Sequence, residues 1–341
     1  MFVIRQAIPD DVQTLLKLAR MVHFINLPAD RDIIAAKVAR SRRSFAGEVD
    51  DDRQRQFMFV LEDAETGGVV GTSSLICRIG WEGWPQIYLQ VRRREHFSRD
   101  LNTGAVHMTI QVMTDESGPS ELGGLILAPG YRGHREKLGS LLSLVRFHFL
   151  GLNRALFQPR VIAELMGPLT PDSNTLFWEF FGRRFINLSY TEADAFCQHS
   201  KEFMTSLLPR AEIYASTLPP EARNLIGKVG EETRPAKAML EKQGFRYHDR
   251  CDPFDGGPYL EAEVDSIPLV RATRRATREA GEPQGGRPAF VSCAADAALG
   301  CGAVRAVFEL AGERVRMAAA AAAAIGARPG AAIGITELGQ A

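Results

Sequence analysis

The chain has 341 residues, 45% of them apolar and 24% charged, a size that can bury a sizeable core and hold two domains and a composition that excludes collagenous, coiled-coil and largely disordered classes. Its 41 Lys+Arg are balanced by 41 Asp+Glu, which removes the electrostatic argument for a nucleic-acid or anionic-membrane partner. No apolar run approaches the roughly 18 residues of a membrane span, and Arg5 and Gln6 break the N-terminus before a signal-peptide core could form, so a cytoplasmic location is expected.

Phe2-Val3-Ile4 reads as a strand, followed by the helix opening Pro9-Asp10-Asp11 and apolar residues Val12, Leu15, Leu16 and Ala19 at helical spacing. A second amphipathic helix is expected from Asp32 to Ser44, and Glu48 to Arg55 is a solvated loop. Phe57 to Leu61 and Val69 to Leu75 flank Ala64-Glu65-Thr66-Gly67-Gly68, which predicts a hairpin. Leu122 to Leu127 is a short apolar strand ended by Pro129-Gly130, before the helical pattern Leu138, Leu141, Leu142, Val145 and Phe149. A strand at Val161 to Leu165, a helix at Ser173 to Phe181, a helical stretch from Pro219, a helix from Thr233 to Gln243 and a strand at Phe245-Arg246-Tyr247 follow. Alternating strands and helices favour an α+β (α/β) core.

Arg, Gly, Glu and Pro displace the apolar periodicity at 273–288, which reads as a linker. The expected domains are a core over 1–272, in two lobes of about 1–165 and 166–272, and a small β-rich C-terminal domain over 289–341. In that domain Ala303 to Leu310, Arg314 to Met317 and Ala332 to Leu338 read as strands, and Ala318 to Ala324 as a short packed helix. Cys77, Cys197, Cys251, Cys293 and Cys301 are scattered and never in a CxxC pair, so buried thiols are expected and neither a disulfide frame nor a zinc knuckle. No metal site emerges, because the histidines form no HxxxH or HxH pair.

The hairpin Leu61 to Gly71, followed by a strand, Pro129-Gly130-Tyr131-Arg132 and a helix, resembles a GNAT-type acyl-CoA N-acyltransferase. Longer strings sharpen the likeness: Ser120-Glu121-Leu122, Phe177-Trp178-Glu179, Ile226-Gly227, Gly244-Phe245-Arg246-Tyr247 and Phe254-Asp255-Gly256-Gly257-Pro258. In this order they resemble the arginine N-succinyltransferase family, across essentially the whole chain. The resemblance implies a duplicated GNAT-like core and transfer of the succinyl group of succinyl-CoA, a co-substrate rather than a resident cofactor, to the α-amino group of arginine or ornithine in arginine breakdown. It also implies a homo- or hetero-oligomer.

Such an enzyme needs a seat for the CoA diphosphate, and a helix N-terminus with free amides provides one. Arg132 to Ser140 is that candidate, with Arg132, Arg135 and Lys137 adding charge and Gly139 and Ser140 allowing close approach. The family's Gly-x-Gly pair is replaced here by Lys137-Leu138-Gly139. An exposed basic turn would carry the same residues. Leu125 matches the family's succinyl-CoA position; with Leu127 it would lie beside the pantetheine arm, where strand amides could bind the developing oxyanion.

The resemblance also implies a histidine in a Val-His string after Ile-Gly, as general acid. Here Ile226-Gly227-Lys228-Val229 is followed by Gly230, which cannot carry a proton. Three readings stay open: direct transfer by proximity, substitution by His248, Glu232 or Glu164, or a non-catalytic or regulatory CoA-binding subunit. A GNAT enzyme with another donor or amine is a further alternative. For the guanidinium, Glu121, Glu164, Glu179 and Asp255 are candidates, with Asp115; for the succinyl carboxylate, Arg99 and its neighbours Arg92, Arg93 and Arg94. Trp178 is a further candidate near the site, against the ordinary role of large aromatics as core.

Overall fold

The computed structural model describes residues 1–21, 27–294 and 298–338. Its strands, in chain order, are β1 (Phe2–Gln6), β2 (Gln56–Asp63), β3 (Gly68–Ile76), β4 (Gln86–Ser98), β5 (Thr103–Asp115), β6 (Ser120–Leu127), β7 (Arg160–Glu164), β8 (Ile213–Tyr214), β9 (Arg246–Cys251), β10 (Pro258–Glu263), β11 (Thr273–Arg278), β12 (Arg287–Cys293), β13 (Gly302–Ala311), β14 (Arg314–Met317) and β15 (Ala332–Glu337). Three longer helices are α1 (Val12–Met21), α2 (Arg31–Phe45) and α3 (Leu138–Leu152). The mixed helix and strand content expected from the sequence is what the chain adopts.

The molecule divides into two compact units, one of residues 1–78, 120–161 and 263–341, the other of 79–119 and 162–262. In the first, the strand order β12-β15-β11-β14-β13-β1-β2-β3-β6 shows that the C-terminal strands extend the N-terminal sheet. Val3 pairs with Val304 and Ile4 with Ala303, and Val3 is buried in one cluster with Val291, Val304, Val315 and Ile335. The Ala-rich helix forms at Ala319–Ala324 and sends Ala321 and Ala322 into that cluster. The 273–288 linker is therefore shorter than its composition suggests: β11 occupies its first six residues, paired with β15 from Thr273 to Thr277. Arg274 and Arg275 are exposed on one half-covered strand, so no apolar alternation marks it. Of the segment 289–341, residues 295–297 and 339–341 lie outside the described residues.

α1 and α2 cover the β2–β3–β6 region with a stripe of Leu15, Leu16, Ile34 and Val38. Asp30 caps α2, its carboxylate accepting from the amides of Asp32 and Ile33. α3 is apolar nearly all round and is buried from Leu141 to Leu150 except Leu144. His148 on it sits between Thr336 Oγ1 and Ser292 Oγ, each 2.6 Å away, and burial pushes its pKa down to about 3. A neutral imidazole thus ties α3 to β12 and β15.

In the second unit the order is β7-β10-β9-β4-β5-β8. Its long hairpin, β4 with β5, pairs continuously from Gln86–Asp115 to Ser98–Thr103. The sequence reading missed it because only the first half of β4 is buried; from Arg93 to Phe97 both faces are exposed and apolar alternation ends. The hairpin joins this unit because Leu89 and Gln90 pair with Cys251 and Arg250 of β9, which is why the division does not follow a single cut near residue 165. The helix expected over 173–181 spans Leu176–Phe180, since Ser173 adopts a left-handed φ of 63° and Thr175 caps the first turn through Phe177 N. Trp178 is fully buried, stacks on Phe254 at 4.7 Å and donates from Nε1 to Leu188 O, so it is core. Cys77, Cys251, Cys293 and Cys301 are buried thiols and Cys197 is half-buried.

Candidate functional site

In the first unit the strand expected to carry the donor contains a β-bulge. Thr72 faces Ile126 and Ser74 faces Gly123, so Gly124 and Leu125 of β6 together oppose the single residue Ser73 of β3. Gly124 has a φ of +58°, which a side chain disfavours, and a Cβ there would lie 3.0 Å from Ser74 Oγ. The bulge takes backbone amides out of the ladder at the residue expected to meet the thioester, while Leu125 and Leu127 remain partly exposed. Underneath, Arg146 of α3 is fully buried, its guanidinium donating to Ser143 O and Oγ and approaching Gly123 O at 3.5 Å; desolvation lowers its pKa to about 9. This buried cation braces the strand from behind.

After β6 the chain makes a short turn at Pro129–Tyr131 and reaches α3 through Lys137, which has a left-handed φ of 52°. Lys137 O accepts from the amides of Ser140 and Leu141. The amides of Leu138 and Gly139 find no acceptor among the described residues, so the helix opens with free donors and its positive dipole end. Arg132, Arg135 and Lys137 are exposed around it, and Gly139 and Ser140 are half-buried. The loop packs on β1, with the Phe2 ring 6.2 Å from Tyr131 and 5.2 Å from His134. Glu121, at the start of β6, is buried rather than displayed.

The second unit holds the remaining candidates. Asp255 is 1% exposed, and its two oxygens accept from Gly167 N at 2.8 Å and Gly257 N at 2.7 Å. Its pKa is pushed up to about 8 by burial and by the neighbouring Asp252, whose Oδ1 accepts from Phe254 N and Asp255 N and whose Oδ2 accepts from Tyr259 Oη. Asp255 therefore holds a turn instead of offering a carboxylate to a guanidinium. Removing it as Asp255→Ala strands two buried amides, and the expected loss of stability is roughly 2–5 kcal/mol, read as a fall in the urea midpoint. An unchanged midpoint would contradict this role.

Gly230 packs on the same knot: its amide donates to Met166 O at 3.0 Å, and a Cβ there would meet Gly167 O at 3.1 Å. Its φ of −60° is ordinary, so a side chain costs a shift of neighbours and no backbone strain. Among the groups that could replace the missing histidine, His248 is an exposed β9 side chain 3.8 Å from Glu261, and Glu232 lies in the exposed turn Glu231–Thr233. Glu164 is half-buried at the end of β7 and accepts from Gln86 Nε2 at 3.0 Å. Glu179 pairs with Arg183 at 2.8 Å, in the short turn Gly182–Arg184 that follows its helix. Arg94 forms a two-pronged pair with Glu212, Arg92 donates to Gln111, and Arg99 is exposed in the β4–β5 turn.

Sequence reasoning passed over three features: the bulge, the braced Arg146 and a lysine, Lys37, on the inner side of α2. Lys37 falls three residues after buried Ile34 and four before buried Ser41, a core-facing position for a charge. That spacing was the available signal.

A bulged strand leading into a helix with free opening amides, on a mixed α/β scaffold, is the equipment of an acyltransferase. The family model for arginine N-succinyltransferase beta subunit matches residues 2–269. An arginine N-succinyltransferase of Enterobacter sp. (strain 638) is 36% identical over 289 residues, covering 84% of this chain and 83% of its own. That of Shigella dysenteriae serotype 1 is 36% identical over 293 residues, covering 85% and 84%. The solved arginine/ornithine succinyltransferase subunit AI from Pseudomonas aeruginosa superposes with a TM-score of 0.85 at 27% identity, over 100% of this chain and 99% of that one. The chain belongs to the arginine N-succinyltransferase family.

Proposed function

We propose that this acyltransferase moves the succinyl group of succinyl-CoA to the α-amino group of arginine or ornithine by direct attack in a ternary complex, as a step of arginine breakdown in the cytoplasm. The observation that carries the reading is the bulge at Gly124–Leu125 followed by the open N-terminus of α3. In this account the bulge amides bind the thioester oxygen as it gains charge, and the amides of Leu138 and Gly139, with Arg132, Arg135 and Lys137, hold the diphosphate. The ammonium gives one proton to water, the neutral amine's lone pair forms the C–N bond, the nitrogen then gives up a second proton as the C–S bond breaks, and the leaving thiolate takes up one, so that one proton is released overall. No helix among the described residues is long and apolar enough to cross a membrane, which accords with small soluble substrates.

Because Gly230 supplies no general acid, positioning does most of the work. Purified protein with succinyl-CoA and arginine, followed by free thiol, is expected to turn over, with kcat/KM climbing at unit slope through about pH 8, the range of a chain-terminal amine, because the α-amino group of a free amino acid beside its own carboxylate titrates higher, and with no inflection near pH 6.5. Absence of thiol release with arginine, ornithine and lysine alike rejects the proposal. Gly230 also favours a second reading, a CoA-binding subunit of a hetero-oligomer whose partner supplies the acid. Under the first reading Gly230→His changes kcat less than threefold; a gain of tenfold or more with a new inflection near pH 6.5 supports the second.

A further inference from the structure

A small cavity of about 20 Å³ lies in the first unit between α2, β2, β3 and the bulge of β6, with Gly123 and Gly124 in its wall. That volume accepts roughly one or two waters, which is the size of a carboxylate and far below that of a nucleotide. Lys37 lines it, and among the described residues its ammonium makes no hydrogen bond or ion pair. Burial lowers its pKa from the ordinary lysine value; Glu121 acts from a distance in the opposite sense, and Arg40 adds to the lowering. Lys37 is partly exposed as a whole, and the desolvation falls on its ammonium, which places the covered part at the charged end. A lysine already stripped of water, with no carboxylate in direct contact among the described residues, gains more from an incoming anion than a solvated one does.

The rest of the lining is just as specific. Leu27, Met58 and Ile76 give apolar wall, Thr72 spends its hydroxyl on Phe59 O, Gln56 spends its amide on Lys37 O, and Ser74 Oγ, beside Gly124, makes no hydrogen bond among the described residues. The lining thus brings together the bulge backbone at Gly123 and Gly124, apolar side chains and a cation. A four-carbon diacid thioester carries the matching groups: carbonyl, two methylenes, carboxylate.

We propose that Lys37, with Ser74, binds the distal carboxylate of the succinyl donor and makes this enzyme select a dicarboxylate-derived acyl-CoA over its uncharged isostere. The assignment rests on the succinyl-transfer reading above, and binding tests it independently of turnover. Calorimetric titration with succinyl-CoA and butyryl-CoA, without amine, should show wild type preferring succinyl-CoA by roughly ten- to a hundredfold. Lys37→Met should erase that preference by weakening succinyl-CoA alone, and Lys37→Arg should restore part of it. Equal affinities in wild type, a preference that survives Lys37→Met, or equal weakening of both donors would each overturn the assignment. If Lys37→Met proves unfolded by circular dichroism, the same criteria apply to Lys37→Gln and Ser74→Ala. Preference without thiol release refutes the transfer reading and leaves the Lys37 site standing; thiol release without preference does the reverse.

Discussion

Gly257→Ala is expected to unfold the second unit or leave it without fixed packing. A Cβ at this position would stand 2.0 Å from Leu165 O, 2.7 Å from Gly167 N and 2.8 Å from Asp255 Oδ1. None of these is the end of a flexible side chain: two are backbone, and the third is fixed by the amides of Gly257 and Gly167. Relief would require β10 to move off the Leu165–Gly167 segment, breaking the Leu165 N to Pro258 O bond and the Asp255 contacts together. We expect a loss of at least about 4 kcal/mol, at the extreme of single substitutions. The check is urea denaturation followed by tryptophan emission, which reports Trp81, Trp84 and Trp178, all in this unit; a midpoint within experimental error of wild type would refute the packing described here. Gly230→Ala is the control, because its nearest contact is 3.1 Å and its φ is ordinary, and it should cost roughly 1 kcal/mol or less.

Gly124→Ala is expected to strike rate where Gly257→Ala strikes stability. The added methyl sits at a φ of +58°, which disfavours a side chain and pushes the bulge toward another backbone conformation, while its 3.0 Å contact with Ser74 Oγ is relieved by turning that hydroxyl away. On the proposed role of those amides, a displaced oxyanion donor lowers kcat by roughly a hundredfold. The diphosphate contacts lie beyond the bulge at Leu138 and Gly139, so the Kd for CoA should change less than threefold. A variant with wild-type kcat, or one that loses only CoA affinity, would show that the bulge does not serve the reacting carbonyl. The strain itself is of order 1–2 kcal/mol, small enough for the folded state to survive the measurement.

Much of the fold was legible because its signals are local. The α1 and α2 stripes, the Gly67-Gly68 hairpin, the β6–α3 passage and the C-terminal strands β13, β14 and β15 appear where period, turn residues and apolar runs put them. The β4–β5 hairpin and β11 were not, because half-covered strands rich in arginine carry no apolar alternation. Among site residues, the basic group Arg132, Arg135 and Lys137 does surround a helix N-terminus. Asp255 showed the opposite: a rare string containing an acid suggested recognition, yet its oxygens are spent on two backbone amides. A string can be distinctive because backbones must touch there, and nothing in its letters separates that from ligand binding.

By itself the sequence determined the family, the alternation of helix and strand, and the absence of a histidine at Gly230, since each depends only on which residues stand in which order. Tertiary structure alone decided that the C-terminal strands complete the N-terminal sheet, that Asp255 is a fastening and that Lys37 ends in a cavity beside the bulge. The physical reason is the same in all three: burial and hydrogen-bond partnership are set by residues far away in the chain, and a charge's environment decides whether it braces the fold or is left for a ligand.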